Sequence, residues 1–392
     1  MPTKQTHTED SYSAISVSGP SRLPKGYFEG YEEGFHQQVQ SKREVHNSLR
    51  PKESNLHLPF SRDAFEIAII CALPEEAVAI RALFEPSNTR GLRLSEAQGD
   101  RNAYSYGSIA GHNVVLVYLS GMGKVSAATA AADLGKSFKN IRLGLVVGIC
   151  GAVPFPTRKR EIVLGDVMVS EGIKQFDFGR HYPDQFSPKD KVSDVLGRPT
   201  LKIRAFLHKM RSILDQHLVN TYVQEILALP NMSAFASPGR FRDYLYEKDY
   251  RHKHQVGSSC EVCGECTMRQ HPVCREARDG LCEDLGCNSD RLILRKRDDA
   301  VSVHFGIIGC ADRVMRSAED RDEIASTEGV IAFEMEGAGI WENTPTIVIK
   351  GACDYADSHK NKLWQNYAAV TAAACAKVFL EQWAAIDRGQ IS

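Results

Sequence analysis

Five short segments concentrate the side chains whose types could do chemistry. Ala72-Leu-Pro-Glu-Glu76 and Phe333-Glu-Met-Glu336 carry paired carboxylates, and Cys353-Asp354 adds another acid. Gly121-Met-Gly-Lys124 and Gly148-Ile-Cys-Gly151 are tight glycine loops. Carboxylates can move protons or accept hydrogen bonds from paired hydroxyls, and glycine loops present backbone N–H groups to anions. Each segment also has an ordinary explanation. A carboxylate in a first helical turn answers the helix dipole, Asp354 would serve as an N-cap, and Gly-x-Gly is common punctuation. Their joint placement sets them apart. Four follow the carboxyl ends of apolar strands and the fifth lies at a strand-to-helix junction, where α/β sheets gather ligands.

A different chemistry is written between Cys260 and Cys287. Six of the eleven cysteines fall there, at Cys260, Cys263, Cys266, Cys274, Cys282 and Cys287, with His252, His254 and His271 nearby. The Cys260-x2-Cys263 spacing is that of a zinc knuckle, and the set offers ligands for one structural zinc or even two. A closed all-cysteine site would supply no catalytic water, so catalysis is expected to need no cofactor. Disulfides and free thiols are the competing readings of the same cluster. The other five cysteines sit in apolar segments and read as small buried side chains.

The elements that must position these residues follow from periodicity. Residues 65–71 form an apolar, β-branched run, a strand buried on both faces. Pro74, with Glu75 and Glu76 behind it, opens a helix. A hairpin is expected at 103–109 and 113–119, then an Ala-rich helix over 124–134 and buried strands at 143–149 and 162–169. An amphipathic helix over 201–214 precedes a break in the pattern at about 218–300, read as a Cys-rich insertion. Strands resume at 301–308, 330–333 and 346–351, with helices near 319–326, from Glu336, and over 364–383. Alternating strands and helices predict an α/β fold, a three-layer sandwich with a mixed, mostly parallel central sheet. The domain is expected over 61–385, and the polar, aperiodic residues 1–60 as a disordered tail.

Composition narrows the partners. Hydrophobic residues make up 43% and charged residues 25%, as in a soluble globular chain, and the formal net charge is −1. With no long basic run there is no footprint for a nucleic-acid polymer. No stretch of about 18 apolar residues offers a membrane span. Residues 1–13 lack the apolar core of a secretory signal, so a cytoplasmic location is expected.

The motifs, in this order, resemble the nucleoside phosphorylase and nucleosidase superfamily. They are Ala-Leu-Pro-Glu-Glu (72–76), Ser-Gly-Met-Gly-Lys-Val (120–125), Val-Gly-Ile-Cys-Gly (147–151), Leu-Gly-Asp (164–166), Phe-Glu-Met-Glu-Gly-Ala-Gly (333–339) and Cys-Asp-Tyr-Ala-Asp (353–357). The resemblance covers about 320 residues and is strongest to a fungal branch found at the N-terminus of NACHT or NB-ARC receptor-like proteins. It implies that Asp354 is the general acid that protonates N7 of a purine, and that Glu336 with the Met335 backbone holds the ribose hydroxyls. Glu334 has no comparable role. Glu76 falls where the hydrolytic branch places the carboxylate that activates water. The phosphorolytic branch usually carries Gly-Asp-Pro and a phosphate-binding arginine instead, and here the next arginine is Arg81, beyond the first helical turn.

A nucleosidase acting on adenosine or ATP is therefore expected, with a phosphorylase or a non-catalytic nucleotide sensor as alternatives. The Gly121, Gly123, Gly148, Cys150 and Gly151 loops would face substrate or phosphate. Gly309-Cys-Ala-Asp312 stands where Ser-Gly-Asp is common, which makes Val314 and Met315 candidate base-packing residues. Lys174, Arg180 and His181 are the candidates for the 5′ side, with a solvated loop as their ordinary reading. The expected ligand is a small nucleoside or nucleotide, with phosphate a further candidate. The resemblance also implies a homo-oligomer.

Overall fold

The computed structural model describes residues 61–86, 94–255, 259–295 and 299–383. The expected tail over 1–60 lies outside them. Strand β1 (Ile67–Cys71) is buried along its whole length, as its apolar run requires. Helix α1 (Pro74–Arg81) starts at the proline, and Glu76 in its first turn accepts from the backbone N–H of Leu73, 2.9 Å away. β2 (Ala103–Ile109) and β3 (His112–Tyr118) form the expected hairpin, with Ala110 and Gly111 in the left-handed region at the turn. α2 (Lys124–Ser137) leads to β4 (Leu143–Ala152), then β5 (Val167–Gln175) and a small separate hairpin of β6 (Gly179–His181) and β7 (Phe186–Pro188). α3 (Leu201–Ile213) and α4 (Gln216–Leu227) follow.

Three short helices, α5 (Glu261–Gly264), α6 (Arg275–Asp279) and α7 (Cys282–Leu285), carry the cysteine cluster. β8 (Val303–Cys310), α8 (Ala318–Glu328), β9 (Val330–Glu334), α9 (Gly337–Ile340), β10 (Thr346–Asp354) and α10 (Gln365–Gln382) complete the chain. The eight-stranded sheet runs β10-β5-β8-β9-β4-β1-β3-β2 and is mixed and mostly parallel, as expected. It differs from the expected open layer in one respect. β10 pairs with β4 as well as β5, so β4, β10, β5, β8 and β9 close into a small barrel, while β1, β3 and β2 extend from β4. The long β4 makes this possible. Its first half pairs with β1, its last two residues pair with β9, and its other edge runs along β10.

Two expectations shift. The strand read at 162–169 begins at Val167, because Gly165 adopts φ 88° and Asp166 ties down the turn by accepting from Val163 N at 3.1 Å. The region read as an aperiodic insertion from 218 begins with a regular helix. Val219, Val223 and Ile226 of α4 fall on one buried face, with polar residues between them. Beyond α4 the cysteine-rich segment is joined to the rest of the chain. Tyr246 bridges to Leu292 and stacks on His359, with ring centroids 4.0 Å apart. Among the described residues no helix is long and apolar enough to cross a membrane.

Candidate active site

The carboxyl ends of β1, β4, β8, β9 and β10 converge on a cavity of about 440 Å³. It brings together Glu76, Cys150, Gly151, Val314, Met315, Met335, Glu336 and Asp354, all singled out from sequence. Glu76 is 2% exposed. Its Oε2 accepts from Ala72 N (2.8 Å) and Leu73 N (2.9 Å), and its Oε1 from Ile149 N (2.9 Å). Gly148 is glycine because a Cβ there would collide with this carboxylate. Gly148 to Gly151, read as a tight loop, are instead the extended end of β4, and Gly148 there makes room for Glu76. Burial raises the Glu76 pKa above the ordinary carboxylate value, Lys350 pulls it back and Glu336 pushes it up.

Glu336 follows β9 and is 4% exposed. Its Oε2 accepts from Lys350 Nζ at 2.9 Å and its Oε1 from Gly123 N at 3.3 Å. Glu334, given no role from the motif, accepts from Glu336 N (3.0 Å) and Gly337 N (2.9 Å) and lies 3.8 Å from Lys350 Nζ. It orients the turn that presents Met335 and Glu336. Burial alone would lower the Lys350 pKa, but Glu336, Glu76 and Glu334 hold it above its usual value. Lys350 is the residue that sequence reasoning missed. Its signal was a lone cation in the otherwise apolar start of β10, Thr346-Ile-Val-Ile-Lys350. A charge on a fully buried strand demands partners.

Asp354 ends β10. Its Oδ1 accepts from Ala356 N at 2.8 Å, the local turn of its N-cap reading, and its Oδ2 pairs with Lys360 Nζ at 2.9 Å. Ala356 holds φ 53°, a left-handed backbone uncommon for a residue with a side chain. Burial opposes the charge on Lys360, yet Asp354 raises its pKa above the ordinary lysine value. Cys150 and Cys353 are buried, and burial pushes both thiols up, so neither is an activated nucleophile.

The N-terminus of α2 holds two carboxylates. Asp312, from the loop after β8, accepts from Lys124 N at 2.7 Å, while Gly123 N serves Glu336. Gly123 has φ 105°, a conformation suited to glycine. Gly121 and Gly123 do not line the cavity; Met122 between them does. Nor do Lys174 and Arg180 reach it: Lys174 pairs with Glu328 at 2.7 Å, and Arg180 and His181 are exposed on the β6–β7 hairpin. The cations on the wall are Arg313, Arg316 and Lys360. Val314 is half exposed and Met315 buried, both lining the cavity.

Five of the six cysteines fall into two groups with histidines. His254, Cys260, Cys263 and Cys274 form one, and His252, Cys282, Cys287 and His359 the other. Cys266 belongs to neither; its Sγ faces His271 O at 3.8 Å. All eleven cysteines are free thiols, so the disulfide reading has no support among them.

The family model of the phosphorylase superfamily matches residues 66–379. The chain belongs to that superfamily. It is 33% identical over 326 residues to a nucleotide-binding leucine-rich repeat (NLR)-like protein of Hyaloscypha variabilis, a match covering 81% of this chain but 29% of that protein. A 5′-methylthioadenosine/S-adenosylhomocysteine nucleosidase of Mycobacterium bovis is 26% identical over 143 residues, 35% of this chain and 51% of that one. The chain thus spans under a third of one relative's length and about half of the other's. Among solved structures, it resembles the S-adenosylhomocysteine nucleosidase of Streptococcus pyogenes in complex with 5-methylthiotubericidin, at 18% identity and TM-score 0.47, over 82% of this chain and 98% of that one. It also resembles the futalosine hydrolase of Helicobacter pylori, at 15% identity and TM-score 0.45, over 82% and 100%. At these values the structural likenesses bear on neither substrate nor mechanism.

Proposed function

We propose that this chain hydrolyses the N-ribosidic bond of a purine nucleoside or nucleotide, adenosine or ATP in the first instance. Glu76 carries the reading: a buried carboxylate on the cavity wall, fixed by three backbone N–H groups, with its proton affinity raised by burial. A base of this kind is matched to taking a proton from water. In this mechanism Glu76 deprotonates the water as it attacks C1′, and the electrons of the C1′–N9 bond pass to the purine. Asp354 gives its proton to N7, and the base leaves neutral. Glu336 and the Met335 backbone accept and donate at the ribose hydroxyls, with Lys350 Nζ holding Glu336 Oε2 in place at 2.9 Å. Lys360, 2.9 Å from Asp354 Oδ2, adds a cation at this end of the cavity, and the acid is reloaded from solvent.

The start of α2 supports water over phosphate. Its backbone donors meet Asp312 and Glu336, so an inorganic anion would face two carboxylates there. Arg313 and Arg316 on the wall would suit phosphates carried at the 5′ position, which favours a nucleotide. The same cations would also suit a phosphorolytic reaction, and the assay separates the two. The likeness to an NLR-like protein supports a place in the fungal branch of catalytic units borne by receptor-like proteins.

The test is chromatography of ATP, adenosine, inosine and guanosine after incubation, with and without phosphate. Free base is expected without phosphate, and Glu76→Gln and Asp354→Asn are each expected to slow its release by about 10²–10⁴-fold. Base release that requires phosphate would make the chain a phosphorylase. No release from any of the four would move it to a nucleotide-binding module.

A further inference from the structure

The two histidine and cysteine groups are built to different plans, and the difference points to what they do. The first draws His254, Cys260, Cys263 and Cys274 from one stretch of the cysteine-rich segment. The second takes His252, Cys282 and Cys287 from that segment but its fourth member, His359, from the loop that follows β10. We propose that each group binds one zinc ion, and that the second ion fastens the cysteine-rich segment to the loop holding Asp354 and Lys360.

Geometry supports the ion in each group. A tetrahedral zinc with Zn–S of about 2.3 Å and Zn–N of about 2.0–2.1 Å has ligand-to-ligand edges near 3.3 Å for N–N, about 3.6 Å for N–S and about 3.8 Å for S–S. In the second group the two Nδ1 atoms lie 3.3 Å apart. The four N–S edges there are 3.5, 3.6, 3.7 and 3.9 Å. In the first group Cys263 and Cys274 are 3.7 Å apart, and Cys274 is 3.4 Å from His254 Nδ1. Each of these edges is close to that of a filled tetrahedron.

The proton bookkeeping points the same way. His252 Nε2 lies 2.9 Å from Gly280 O, and His359 Nε2 lies 3.0 Å from Tyr250 O. A carbonyl only accepts, so both rings carry their proton on Nε2. Both Nδ1 atoms then face each other at 3.3 Å with the Cys282 and Cys287 sulfurs around them, the arrangement of four ligands about a shared cation. A backbone carbonyl fixing the outer ring nitrogen is the usual second layer of a metal site.

Folding requires the same ions. α5, α6 and α7 span 4, 5 and 4 residues, far below the length at which a helix holds itself. Their own apolar cluster is small: Val273, Ala277 and Leu285 with Cys263 and Cys266. A metal supplies the cross-link that such a segment cannot obtain from burial. The second site reaches further. His359 N donates to Asp357 Oδ1 at 2.9 Å, His252 N donates to Ser358 Oγ at 3.2 Å, and the next residue, Lys360, pairs with Asp354. Holding His359 therefore holds the register of the whole turn from Asp354.

Elemental analysis of the purified full chain tests this without any substrate, so its outcome is separate from that of the nucleosidase assay. Two zinc ions per chain are expected, falling to one in Cys260→Ser and to one in His359→Ala, and staying at two in Cys266→Ser. Cobalt substitution should give tetrahedral d–d bands, with stronger thiolate charge transfer at the three-cysteine site than at the two-cysteine site. His359→Cys keeps a ligand in place and should restore the second ion, which guards against a variant that merely misfolds. Hydrogen exchange over residues 354–360 should rise in His359→Ala and not in Cys266→Ser. Fewer than two ions in the unmodified chain, or loss of an ion in Cys266→Ser, would overturn the two-site assignment. Unchanged exchange over 354–360 in His359→Ala would overturn the fastening role.

Discussion

Lys350 shares its surroundings with three carboxylates, and its removal should change the protonation of a residue it does not touch. Burial raises the Glu76 pKa and Lys350 lowers it. Lys350→Met should therefore raise it further. With Glu76 as the proposed base, active when ionised, activity should fall as pH drops through its pKa. The acidic limb of kcat/KM against pH should stand above the ordinary carboxylate range in the native chain and move higher in the variant. An unmoved limb would remove Glu76 from the role of base. The same variant leaves Glu336 buried without its cation, a loss of about 3–5 kcal/mol that denaturant unfolding would detect. At this scale the sequence was legible where residues sit in motifs. Glu76, Glu336 and Asp354 could be found because each stands at the end of an apolar run. Lys350 and Lys360 could not be assigned, since their roles come from partners brought in by folding. His359 escaped for the same reason, lying 72 residues beyond Cys287.

The beginning of α2 is where an element decides between chemistries. Asp312 caps it from another part of the chain and its Oδ2 lies 3.7 Å from Lys124 Nζ, which itself grips Asp177 at 2.6 Å. Asp312→Ala should lower stability by about 0.5–2 kcal/mol, the usual loss for an uncapped helix. It should also make base release sensitive to added phosphate, because donors that met a carboxylate become open to an anion. Insensitivity to phosphate in that variant would take α2 out of the argument for water. Strands and helices themselves were readable from period and punctuation, down to Pro74 at the start of α1. Sheet closure was not, because period reports which face of a strand is buried and says nothing about which strand lies beside it. α4 was legible, since Val219, Val223 and Ile226 stand at helical spacing, and the boundary of the aperiodic stretch belongs after Leu227.

At the scale of the described chain, stability is expected to be uneven. β4, β10 and α10 are buried almost throughout, whereas Arg313, Val314 and Arg316 in the loop after β8 are exposed. Hydrogen exchange should be slow in both β4 and β10 and fast at Arg313, Val314 and Arg316, approaching global unfolding only in the strands. Comparable rates in strands and loop would contradict the packing. What the sequence could not convey here was the joining of the cysteine-rich segment to the domain, since His359, the His252–Ser358 bond and the Arg269–Glu319 pair link residues far apart in the chain.

The double pairing of β10 has a consequence for turnover. β10 is held along both edges only over Ile349–Gly351. Beyond that, Asp354 stays paired with Gly151 of β4 and its carboxylate is pinned by Ala356 N and Lys360, so it has little room to swing. Glu76, locked into the end of β4 by Ile149 N, is equally immobile. Closing and opening must then fall to the parts that belong to no strand, Met122 on one side and Arg313 to Arg316 on the other. The pace of the cycle would be set at that rim, over microseconds to milliseconds, while the frame beneath it stays still.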